Sequence, residues 1–132
     1  MRQIQTQALS VRLGKKTLLQ PSHCTLPAAQ FSAIIGPNGA GKSTLLRCLA
    51  GLQLYHGQVL LDGQDIRQLP ARQRAQRISW LAQGDGGTAL DDLAAEDIVF
   101  LGRLPHQGLL ATARAADATA VTQAMHDARC TH

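Results

Sequence analysis

Aromatic side chains are scarce in this chain, with two Phe, one Tyr and one Trp among 132 residues. Phe31, Tyr55, Trp80 and Phe100 are scattered and do not interleave with basic residues. The stacking platforms that single-strand nucleic-acid binders need are therefore missing, and no nucleic acid is expected among the partners. Long apolar runs are missing as well. The longest, Ile98–Leu101, falls far short of the roughly 18 residues of a membrane span. Gln3, Gln5 and Gln7 interrupt any leader-like stretch after Arg2, so a soluble, cytoplasmic chain is expected. Cysteine is limited to Cys24, Cys48 and Cys130. An odd count with no Cys-x-x-Cys pair argues against a disulfide framework or a zinc ribbon. His126 and Cys130, with His132, have the i, i+4 spacing that could begin a metal site, but no acidic or cysteine partner completes it.

Apolar residues make up 45% and charged residues 17%, which permits a packed core in a chain the size of one domain. Lys and Arg number 13 against 9 Asp and Glu, a net charge of +4. That balance suits phosphate ligands, nucleic acid or an anionic membrane surface.

Ile4–Leu13 alternates loosely up to Gly14-Lys15-Lys16 and resumes as Thr17-Leu18-Leu19, which predicts two strands joined by a turn. Pro21 to Pro27 reads as turn-rich. Phe31-Ser32-Ala33-Ile34-Ile35 predicts a short buried strand. A glycine-rich loop follows, and then an unbroken helical stretch from Lys42 to Ala50 capped by Gly51. Gly57 to Ile66 predicts a hairpin folded at Asp62-Gly63. Pro70 opens a basic helix bearing Arg72, Arg74 and Arg77. Ile78-Ser79-Trp80-Leu81-Ala82 predicts another strand, ending at Gln83. A helix is expected over about Leu93 to Gly102, stopped by Pro105. In the last helix, Val121, Ala124, Met125 and Ala128 form an apolar stripe.

The chemistry sits in Gly36-Pro37-Asn38-Gly39-Ala40-Gly41-Lys42-Ser43-Thr44. It fits Gly-x-x-x-x-Gly-Lys-[Ser/Thr], placed after a predicted strand and opening a predicted helix. Glycines let the backbone wrap a phosphate with no Cβ in the way, and successive N–H groups form an anion nest at the positive end of the helix dipole. In such a loop Lys42 faces the β/γ-phosphates, Ser43 ligates magnesium and Thr44 donates to the α/β-phosphates. The pattern predicts a site for a nucleoside triphosphate with magnesium.

With its neighbours, this loop resembles the ATP-binding subunits of ABC transporters. Gly-Pro-Asn-Gly-Ala-Gly-Lys-Ser-Thr-Leu-Leu is similar to that family's form of the P-loop. Leu9-Ser10-Val11-Arg12-Leu13-Gly14 resembles its first strand, Gly57–Ile66 its hairpin, and Gln83 its Q-loop glutamine. The resemblance implies an α/β fold: a partial P-loop NTPase nucleotide-binding domain of ABC type, with an N-terminal antiparallel β portion. It implies ATP and magnesium as cofactors, with Gln83 positioning the magnesium and the attacking water. Its implied partners are a membrane-spanning permease subunit and a second ATP-binding subunit, at the inner face of the cell membrane. Gly102-Arg103-Leu104-Pro105-His106 resembles the form found in importers of ferric siderophores, haem and cobalamin.

The chain departs from the family at two points. Leu13 stands where the family stacks adenine on an aromatic ring, so only an apolar base contact is expected there. No Leu-Ser-Gly-Gly-Gln signature, no Walker B strand ending in Asp-Glu and no switch histidine occur in the 132 residues. Residues 1–132 are therefore expected to form a single incomplete nucleotide-binding domain that stops before the signature motif. Two functional readings stay open: an ATPase subunit powering import, and a fragment that holds magnesium-ATP without hydrolysing it. A GTPase is disfavoured because no Asn-Lys-x-Asp motif occurs, and a DNA-associated relative because no sustained heptads appear.

Overall fold

The computed structural model describes residues 3–82, 93–107 and 115–130, gathered into two compact units, Met1–Arg74 and Ala75–His132. The first unit is built on a four-stranded sheet of order β2-β1-β3-β4. Its strands are β1 (Ile4–Leu13), β2 (Lys16–Leu26), β3 (His56–Leu61) and β4 (Gln64–Asp65), and every pairing is antiparallel. The two strands expected on either side of Gly14 are thus present, as is the hairpin at Asp62-Gly63. Both hairpin residues take positive φ, 52° and 82°, which is the type I′ turn that matches strand twist. The Gln3 N–H donates to Asp62 Oδ1 at 2.8 Å and the Asp62 N–H donates to the Gln3 carbonyl at 2.9 Å, extending the ladder by one pair.

The loose alternation of β1 has a physical cause. Thr6, Leu9 and Val11 are its buried residues, so the spacing slips by one between Thr6 and Leu9. Ala8 sits there at φ 48°, and the register against β3 shifts between Gln7 and Ser10. This bulge returns the apolar side chains to the core face after the slip. It is locked by Gly57 (φ 85°) on β3, where a Cβ would overlap the carbonyl oxygens of Ala8 and Gln7.

The segment from Pro21 to Pro27, expected as turns, is instead strand as far as Leu26. Pro21 has no N–H to give, and β2 tolerates it because it is an edge strand with one unpaired side. The core of this unit comprises Leu9, Val11, Val59, Leu61, Ile66 and Leu69, closed by Cys48 and Leu49 of helix α1 (Lys42–Leu49). Burial pushes the Cys48 thiol up to about 11, so it packs as a neutral, unreactive group. Helix α2 (Ala71–Ala75) follows Pro70 as expected but ends before Arg77, which lies in a turn, its first bond running from the Arg74 N–H to the Pro70 carbonyl at 3.0 Å.

Two expected strands do not form. Phe31–Ile35 and Ile78–Ala82 carry no strand pairing. Phe31, Ile35 and Leu81 are 96%, 92% and 94% exposed. A β-strand exists only through its neighbours' N–H and C=O groups. Among the described residues no strand lies parallel to either segment, so β-rich composition alone leaves the backbone hydrated.

In the second unit, α3 (Ala95–Leu101) occupies the expected place and passes into a 3-10 turn at Leu104–His106 containing Pro105. Helix α4 (Ala115–Asp127) buries Asp117 and Val121. Ala124 and Ala128 of the expected stripe are exposed. The face of α4 turned inward is set by an ion pair, since Asp117 Oδ1 accepts from Arg103 Nε at 2.9 Å. A carboxylate withdrawn this far from water needs its cation, and two exposed alanines forgo little burial.

The bare apolar segment before the P-loop has a measurable consequence. The 132-residue chain is expected to self-associate in sedimentation velocity, and Phe31→Gln with Ile35→Thr should shift it toward monomer. A native chain already monodisperse at all concentrations would contradict this.

Candidate functional site

Gly36–Gly41 forms an exposed loop that leads into α1. Its first turn is the Ala40 N–H to Pro37 carbonyl bond at 3.3 Å, and the Leu45 N–H to Gly41 carbonyl bond at 2.8 Å starts the helix. Gly41 is the N-cap at φ 89°, in the left-handed region, and a Cβ there would lie 2.7 Å from the Leu18 carbonyl oxygen on β2. Only glycine meets both demands, the positive φ and the close approach.

The site is electropositive by construction. No side chain caps α1, and its first turn contains no acidic residue, so the N-terminal N–H groups and the helix dipole face outward uncompensated. Lys42 Nζ donates to the carbonyl oxygens of Gly36 and Pro37, both at 2.7 Å. The ammonium is thereby tied across the mouth of the loop. Gly39, also at positive φ (82°), has open space around it. This cradle, with backbone donors, a cation and no Cβ obstruction, fits the phosphates of a nucleotide.

Ser43 and Thr44 occupy the first turn of α1, Ser43 exposed and Thr44 half-buried. Leu13 ends β1, paired with Lys16, and is 71% exposed. Gln83 lies outside the described residues, as do Asp85 and Asp91. The structure thus brings Gly36, Pro37, Asn38, Gly39, Ala40, Gly41, Lys42, Ser43 and Thr44 into one loop and helix turn. Among the described residues no cluster of three or more His, Cys, Asp or Glu could hold a metal.

A second polar cluster had no motif to announce it. Arg67 binds Asp65 through Nη2 to Oδ2 at 2.8 Å and Nε to Oδ1 at 3.2 Å, and Nη2 also donates to the Gly57 carbonyl at 2.8 Å. The Arg67 N–H donates to Asp65 Oδ1 at 2.9 Å. The guanidinium also lies 4.9 Å from the centroid of the Tyr55 ring, within cation–π range. The hairpin turn was visible in the sequence, but the side chains it gathers were not.

Side-chain hydrogen bonding from Arg67 outweighs burial and holds the Asp65 carboxyl below its ordinary value of 3.8. The folded state therefore keeps Asp65 ionised where the unfolded chain would bind a proton. Its stabilising contribution is present above that ordinary value and is lost as the pH falls through the lowered one. The urea midpoint should hold down to about pH 5 and drop as the pH falls from there toward about pH 2, and it should drop less in Asp65→Asn. Equal losses in the two proteins would show that the pair carries no such linkage.

The sequence matches the ABC transporter family over residues 19–131. It is 42% identical over 127 residues to the ferric enterobactin transport ATP-binding protein FepC of Escherichia coli, covering 96% of this chain and 46% of that protein. It is 39% identical over 131 residues to the hemin import ATP-binding protein HmuV of Pseudomonas fluorescens, covering 98% and 49%. The probable siderophore transport system ATP-binding protein YusV of Bacillus subtilis is 36% identical over 126 residues, covering 95% and 45%. The chain spans about half the length of these curated relatives. It belongs to the ABC transporter family.

Proposed function

We propose that this chain is the ATP-binding portion of an importer subunit of the ABC transporter family, with residues 1–132 forming part of one nucleotide-binding domain. The observation that carries the reading is the P-loop itself, a wide-open glycine cradle with Lys42 Nζ held at its mouth by the Gly36 and Pro37 carbonyls. The cofactors of this reading are ATP and magnesium. Lys42 would turn from its two carbonyls to the β/γ-phosphates, Thr44 would donate to the α/β-phosphates, and the loop N–H groups would fill the remaining acceptors. Ser43 and Gln83 would hold the magnesium, Gln83 also orienting a water, and Leu13 would offer the base an apolar surface. Bound magnesium-ATP supplies the phosphoanhydride whose cleavage drives transport.

The names of the relatives support an iron chelate or haem as the solute class, with cobalamin the third member suggested by Gly102–His106. The partners of this reading, taken from the family resemblance, are a membrane-spanning permease subunit and a second ATP-binding subunit, at the cytoplasmic face of the membrane. Among the described residues no helix is long and apolar enough to cross a membrane. The Gly102–His106 segment itself has an internal use, since Arg103 pairs with Asp117. The subfamily resemblance therefore has a packing component and not only a functional one.

Lys42→Ala removes the charge while leaving the backbone nest. Magnesium-ATP affinity, measured by calorimetric titration, should fall by roughly one to two orders of magnitude, the worth of a charged hydrogen bond. Equal affinities would sink the P-loop assignment.

The second reading, binding without hydrolysis, is favoured for these 132 residues taken alone. No Asp-Glu pair follows an apolar strand and no Leu-Ser-Gly-Gly-Gln occurs among them. Gln83 can orient a water but cannot take its proton. A missing base costs about 10² to 10⁴ in rate, and missing transition-state charge stabilisation costs comparably. Phosphate release by the purified chain should match that of Lys42→Ala. Clear turnover above that control would mean that another carboxylate, such as Asp85 or Asp91, serves as base.

A further inference from the structure

We infer that the cavity between the Gly51–Tyr55 turn and Arg74 is a binding site for a small carboxylate with an apolar body. It holds about 390 Å³, within the range of small-molecule pockets. Leu52, Leu54, Tyr55, Ile66, Arg67 and Arg74 line it, and none of its lining residues belongs to the P-loop.

The charge pattern selects the ligand. Arg67 is neutralised by Asp65 through the paired contacts described above. Arg74 has no ion pair among the described residues. Its side chain is laid over Gly51, where an added Cβ would come within 3.0 Å of Arg74 Cδ, and it lies within electrostatic reach of Tyr55. The Tyr55 hydroxyl is enclosed and has no hydrogen-bond partner. Burial, helped by the nearby Asp65 charge, pushes it up to about 12, so Tyr55 stays a neutral phenol that offers the cavity its ring.

An unmatched guanidinium beside an apolar cavity calls for a ligand with one negative charge and two acceptor oxygens. A carboxylate has both, its two oxygens matching the two-pronged fork of Arg74. A neutral molecule leaves the cation unmatched. Inorganic phosphate brings a second charge that meets only a guanidinium already committed to Asp65. The rest of the wall is apolar: Ile66 is fully buried at the base, and Leu52 and Leu54, 57% and 91% exposed, stand at the lip. Those lips would cover a hydrocarbon or aromatic body and gain from leaving water.

The test titrates benzoate, benzyl alcohol and inorganic phosphate separately into the ¹⁵N-labelled 132-residue chain and follows amide shifts. Benzoate should move the Gly51–Tyr55, Ile66 and Arg67 amides saturably, at least about tenfold more tightly than benzyl alcohol or phosphate. Arg74→Gln should weaken benzoate by about the same factor, and Arg74→Lys should recover part of the loss. Undisturbed β1 and β3 amides would show that each variant is folded. Should Arg74→Gln lose them, the comparison of the three probes on the native chain decides the matter alone. Benzyl alcohol binding as well as benzoate, phosphate binding better, or full affinity in a folded Arg74→Gln would each overturn the proposal.

Discussion

The candidate nucleotide site hangs on one close approach, Gly41 against β2, where any Cβ would run into the Leu18 carbonyl. A P-loop is commonly pictured as launched by the strand before it, yet here Phe31–Ile35 carries no ladder and stands in solvent. The loop is placed instead from its far end. Cys48 and Leu49 anchor α1 in the core of the first unit, Gly41 fits against the sheet edge, and Lys42 ties the loop back to the carbonyls of Gly36 and Pro37. Any side chain at Gly41 would meet a backbone atom rather than a flexible one. Backbone cannot step aside cheaply, so the whole start of α1 would have to move.

The same logic of fixed carbonyls recurs at Gly57, where the β1 bulge leaves no space for a Cβ. Both glycines are backbone-to-backbone contacts between elements distant in the chain. The bulge is what lets a strand with an odd spacing between Thr6 and Leu9 keep one face in the core. Arg67 then reaches the Gly57 carbonyl on the same strand start, joining the hairpin to its own side-chain cluster.

How far the sequence was legible follows from how local each feature is. The turn at Gly14, the hairpin at Asp62-Gly63, helix α1 and the P-loop are each specified within about ten residues, and all are found in place. Phe31–Ile35 and Ile78–Ala82 were misread because a strand is a relation between two segments, and their composition speaks for only one. Pro21 misled for the opposite reason, since an edge strand forgives a missing N–H and the sequence does not say which strand is the edge. In α4 the periodicity pointed to alanines, but the buried Asp117–Arg103 pair turned the helix. Tyr55, Arg67 and Arg74 meet only in three dimensions, and no spacing rule would have assembled them.

This gradient from local to distributed also divides the chemistry. In the proposed function phosphate binding is the local part: nine consecutive residues would supply the nest, the cation and the hydroxyls, and they hold one loop and helix turn without a neighbouring strand. Hydrolysis is the distributed part, because a water must be aligned, deprotonated and driven against a phosphate whose new charge is stabilised from several directions. Those groups come from separate segments, so they depend on long-range packing in the way that the unformed strands do. A chain of this family can therefore keep a well-shaped cradle while the catalytic constellation is incomplete. Affinity for nucleotide and turnover of it are separable properties of the fold, and the described geometry speaks to the first.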